Sequence, residues 1–138
     1  MNARDLYPDV FGERPSSCTV YDYDPILKSF GDILAREDEE SYHGDSWVLY
    51  GDGPRIGYLE FGWGSCSGCD ALQACGSYEE VDELIGRLRS SIRWFASRPE
   101  ALEWFRTHDW AGDWSSGRQE RDEFVRKAIT LLSEDQPA

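Results

Sequence analysis

The chain reads as a single small α+β domain: an N-terminal helix, an antiparallel β-hairpin, then three packed helices. Three observations carry that reading. A helix-start signal at Asp24-Pro25 precedes apolar residues at helical spacing, two strand-like runs flank the turn cluster Gly51-Asp-Gly-Pro54, and capping patterns with apolar stripes recur after residue 76. The 138 residues fit one domain over 1–138 and bury most of their apolar surface without disulfides. A hydrophobic fraction of 40%, with six tryptophans, seven tyrosines and six phenylalanines, supplies a core and excludes wholesale disorder.

Residues 1–20 carry Pro8, Gly12 and Pro15 with no sustained period, and read as an irregular arm across the body. Asp24 then offers an N-cap acceptor and Pro25 the first helical position. Ile26, Leu27, Phe30, Ile33 and Leu34 recur at helical spacing, which predicts a helix over 24–36. The acidic run Glu37-Asp38-Glu39-Glu40 ends it, because like charges at a helix C-terminus oppose the macrodipole.

A hairpin follows over 46–63. In its second run Leu59, Phe61 and Trp63 share one face and Ile56, Tyr58 and Glu60 the other. Gly57, Gly62 and Gly64 thin the ladder, which predicts a bulge or a close backbone contact. Residues 64–76 read as a cysteine loop and a helix start near Asp70, favoured by Ala71-Leu-Gln-Ala74. The part from 77 to 134 reads as helical. Ser77-Tyr-Glu-Glu80 has the capping-box pattern, and Val81, Leu84, Ile85, Leu88, Ile92 and Phe95 form one stripe. Ser97-Arg-Pro-Glu100 opens a shorter helix with Ala101, Leu102, Trp104 and Phe105. After a break at 107–115, a last helix over about 117–133 aligns Val125, Ala128, Ile129 and Leu132.

Lysine and arginine number 14 against 27 aspartates and glutamates, a formal charge of −13. That sign repels phosphate backbones and disfavours conventional nucleic-acid binding. It fits a protein partner with a basic surface, or imitation of nucleic acid. The contact surface expected is the acidic run Glu37, Asp38, Glu39 and Glu40, the acidic stretch 79–83, and the aromatics Trp110 and Trp114, interleaved with Asp109 and Asp113. A core role for Trp104 and Phe105, with Trp110 capping the hairpin, competes for those aromatics. No apolar run reaches membrane-span length and Met1-Asn-Ala-Arg-Asp-Leu6 lacks a signal-peptide core, so the expected setting is the cytoplasm, without membrane contact.

Cys66-Ser-Gly-Cys69, with Cys75 beyond it, is the densest chemistry in the chain. A Cys-x2-Cys turn brings two thiolates onto one zinc ion; Cys75 would be a third ligand, and Cys18, His43, His108 or water the fourth. The same pair could exchange electrons as a dithiol, or pack as small core residues. His108 beside Asp109 has no nucleophile tied to it by a motif, and no phosphate-binding loop, dinucleotide fingerprint or paired-histidine signature is present. The protein is not expected to be an enzyme.

The spacing of Cys66, Cys69 and Cys75 resembles the last three cysteines of the WhiB-like iron–sulfur regulators. That resemblance implies a cluster on Cys18, Cys66, Cys69 and Cys75, although the interval from Cys18 is longer than the family uses. The family's basic tail is absent, and its DNA binding is not implied. Gly64-Ser-Cys-Ser-Gly-Cys-Asp-Ala-Leu-Gln73, Ser91-Ile-Arg-Trp-Phe95 and Glu103-Trp-Phe-Arg-Thr-His-Asp-Trp110 resemble a group of small acidic phage and bacterial proteins to which no activity is assigned. This implies the domain layout and a bacterial host cell, and no catalytic residue. The expectation is a non-enzymatic acidic interaction protein without a cofactor, a phage-type modulator of a host macromolecule. The alternative is a zinc, iron–sulfur or thiol protein centred on Cys66, Cys69 and Cys75.

Overall fold

The computed structural model describes residues 2–8, 23–39, 44–64, 70–112 and 117–134. In chain order these form α1 (Ala3–Leu6), α2 (Asp24–Ser29), β1 (Asp32–Asp38), β2 (Gly44–Asp52), β3 (Arg55–Trp63), α3 (Tyr78–Ser91), β4 (Arg93–Phe95), α4 (Arg98–Thr107), a 3-10 helical turn (Trp110–Gly112) and α5 (Arg118–Ser133). The strands make one antiparallel sheet in the order β1-β2-β3-β4. The α+β class, the N-terminal helix, the hairpin and the C-terminal helices are as the sequence predicts. No helix among the described residues is long and apolar enough to cross a membrane.

Both faces of the sheet are covered. Val48, Tyr50, Leu59 and Phe61 pack against α1, α2 and α3, while Trp47, Leu49, Ile56 and Tyr58 pack against α4 and α5. This is why Trp47-Val-Leu-Tyr50 is buried without interruption rather than at alternate positions. The three C-terminal helices therefore do not form one bundle: α3 lies on the opposite face from α4 and α5. Ser77 and Ser97 cap α3 and α4 through the backbone N–H groups of Glu80 and Glu100.

The predicted helix over 24–36 is two elements. Gly31, at φ +151°, stands in a region open only to glycine and stops the helix. Ile33 then pairs with Tyr50 and Ala35 with Leu49, with a bulge between them at Leu34. The apolar spacing that read as a helical face splits between a two-turn helix and an edge strand. The acidic run accordingly leaves a strand, not a frayed helix end.

Three further expectations change. The arm over 1–20 contains a capped helical turn, α1, whose Ala3 N–H donates to Asp82 at 2.7 Å; residues 9–22 lie outside the described chain. No helix starts at Asp70: residues 70–74 make one turn, and α3 begins at Tyr78. Ile92 and Phe95 leave the helical stripe because α3 ends at Ser91 and Arg93–Phe95 pair with Ile56–Tyr58 of β3. Gly57 permits this pairing, since a Cβ there would stand 2.8 Å from the Trp94 ring. The expected close contact is found there, and β2 and β3 pair without a bulge.

Candidate functional site

The residues flanking 65–69 are locked to each other by Asp70. This carboxylate is only 3% exposed. Its Oδ1 accepts from Tyr23 Oη (2.9 Å), Leu72 N (2.8 Å) and Gln73 N (3.1 Å), and its Oδ2 from Gly64 N (2.8 Å). Gln73 Nε2 donates back to Gly64 O at 2.8 Å. The bonds to Leu72 and Gln73 satisfy backbone donors at the start of the turn, as an N-cap side chain does for a helix. The bond to Gly64 ties the described residues on either side of 65–69 together. Burial first, and then the Asp70 charge, push the Tyr23 hydroxyl far above the ordinary tyrosine range, so it stays a proton donor.

Beside this clasp lies a cleft of about 200 Å³. Tyr23, Phe61 and Trp63 give it aromatic walls, and Tyr23 and Phe61 stand 4.9 Å apart, ring centre to ring centre. Arg36, Asp38 and Ser46 give it polar ones. The β1–β2 register sets these three on one face, since Asp38 pairs with Ser46 and Arg36 with Val48. Asp38 Oδ1 accepts from Arg36 Nε (3.1 Å) and from the buried Ser46 hydroxyl, while Arg36 Nη1 donates to Asp24 at 2.5 Å. Trp63 Nε1 is buried and has no hydrogen-bond partner. Among the described residues the cleft thus holds a fixed ion-pair network against aromatic walls.

Cys66 and Cys69 fall within 65–69, outside the described residues, as do Cys18, His43, Glu40 and Trp114. Cys75 is buried in the core against α3; its Sγ donates to Ala71 O at 3.3 Å, and burial pushes its thiol up. His108 stacks on Trp104 at 4.4 Å and meets Trp110 edge-on at 4.5 Å, so its ring serves the aromatic cluster. Trp110 is half-buried, with Nε1 bonded to Phe105 O at 3.0 Å. Glu37 binds Lys127 at 3.0 Å, Asp38 binds Arg36 and Ser46, and Glu39 accepts from Asp45 N at 3.1 Å. Among the described residues no three His, Cys, Asp or Glu side chains gather as a metal site. Tyr23, Arg36, Ser46, Trp63 and Asp70 are the residues that sequence reasoning passed over. Only Asp70 carried a signal, its spacing to Gln73, which matches a capping pattern.

Comparison with family models, curated proteins and solved structures gives no match to this chain. The functional reading therefore rests on its own chemistry.

Proposed function

We propose that the protein is a non-enzymatic interaction domain that docks onto a basic surface of another protein, in the manner of a phage-type modulator acting in the host cytoplasm. The observation that carries this is the acidic start of α3, where Glu79, Glu80, Asp82 and Glu83 are all exposed. Glu80 and Asp82 accept from the Gly76 and Ala3 amides, and none of the four is engaged by a described basic side chain. The run at 37–39 behaves differently, since its carboxylates are held by Lys127, Arg36, Ser46 and the Asp45 amide. The contact surface this supports is α3 and the cleft beside the clasp, both on the α1–α3 side of the sheet.

Charge of this kind acts mainly on the rate of encounter and is screened by salt. The test is binding of a defined arginine- and lysine-rich peptide by the wild type and by Glu79→Lys/Glu83→Lys. Association should slow by roughly tenfold in the double variant and weaken as salt rises. Binding that ignores both the reversal and the salt would refute the acidic-surface reading and shift the contact to the aromatic surface.

A further inference from the structure

We propose that the cleft beside the Asp70 clasp is the anchor point for one arginine side chain of the basic partner, an inference that rests on the acidic-docking reading above. Size is the first argument. At about 200 Å³ the cleft is smaller than sites for drug-sized ligands, roughly 300–1,000 Å³, and suits a single long side chain.

Charge is the second argument. Among the described residues that line the cleft, two are carboxylates, Asp38 and Asp70, and one is a cation, Arg36, in a chain of net charge −13. Asp24 and Asp38 already hold Arg36 at 2.5 and 3.1 Å, so its charge is matched and the surplus is negative. An anion is disfavoured there and a cation is attracted.

The unused valences narrow the class further. Asp38 Oδ1 takes both donors, from Arg36 and Ser46, leaving Oδ2 to accept from a ligand. A peptidyl arginine offers guanidinium N–H groups to that oxygen. Its planar cation also suits a cleft walled by Tyr23, Phe61 and Trp63, which an ammonium does less well.

The experiment follows the indole N–H resonance of Trp63, assigned through Trp63→Phe, during titration of the full chain. The probes are acetyl-Gly-Arg-Gly-amide and the same peptide with citrulline, the uncharged isostere, in place of arginine. The arginine peptide should shift the Trp63 signal saturably, with an affinity on the order of millimolar. Citrulline should bind roughly tenfold more weakly, and Asp38→Asn should abolish that preference. Equal binding of the two peptides to the wild type overturns the proposal, and needs no folded variant to show it. A stationary Trp63 signal while an arginine-rich peptide still binds in a salt-sensitive way overturns the cleft assignment alone. Failure of every basic peptide to bind overturns the docking reading with it.

Discussion

The two faces of the sheet are closed by different physics. On the α4–α5 side, Tyr58 stands 5.4–5.9 Å from the rings of Trp104, Phe105, Trp110 and Phe124, and Phe95 adds to the same cluster. Ring packing of this kind tolerates many geometries, and the polar groups set among these rings are deeply placed: Arg121 is 3% exposed, and Trp47 Nε1 and Arg98 Nε are buried without a partner among the described residues. On the α1–α3 side the core mixes fully buried aliphatics, Ile26, Leu27, Leu72 and Val81, with the rings of Tyr23, Tyr50 and Phe61, and it is closed by hydroxyls and one carboxylate. Tyr50 Oη donates to Leu27 O at 2.8 Å, and Tyr23 Oη donates to Asp70. Of the tryptophans near the chain end, Trp104 and Trp110 pack within the cluster on the α4–α5 side. The polar cleft opens on the other face, where directional bonds cannot fill every gap.

Truncation should separate the faces. Phe124→Ala should cost about 3–5 kcal/mol in urea unfolding, because its ring is fully buried among other rings. The Trp63 indole signal should not move in that variant; a shift there would mean the faces are coupled through the sheet. Next in size is Asp70→Ala, which leaves the donors of Tyr23, Gly64, Leu72 and Gln73 without their acceptor. At about 1–3 kcal/mol for a buried unmet donor, with water reaching some of them, a loss of about 3 kcal/mol is expected. A loss under about 1 kcal/mol would show that the clasp does not tie the residues on either side of 65–69.

The smallest effect is also the most specific. Tyr23→Phe should cost about 2 kcal/mol near neutral pH, the net worth of a hydrogen bond to a charged group. Folding raises the Tyr23 pKa, so as pH rises the unfolded chain gives up this proton first. The stability is held in full below tyrosine's ordinary value of about 10 and falls above it. The variant should therefore lose less stability than wild type between about pH 8 and 11. Tyr50, raised by the same burial, keeps some of the slope in both proteins. Identical slopes would remove Tyr23 from the polar face's alkaline limit.

What the sequence made legible was local. Ser77 and Ser97 announced α3 and α4, and the period of two across Gly51-Asp-Gly-Pro54 announced β2 and β3. Ile33 and Leu34 misled because one spacing served both a helical face and a strand with a bulge; Gly31 was the discriminating residue. Arg93–Phe95 is too short to show a period of its own and exists through its pairing with β3. The cleft was beyond local reading. Tyr23 reaches Asp70 across 47 positions, and Arg36 and Ser46 meet at Asp38 only through strand register.

The sheet's margins carry a consequence for how this protein behaves in crowded solution. Among the described residues β1 has β2 as its strand neighbour; it carries a bulge at Leu34 and continues as Arg36, Glu37 and Asp38. At the other margin β4 is three residues long. Kinked, charged or very short margins are poor templates for another chain's strand, so sheets of neighbouring molecules are kept from fusing edge to edge.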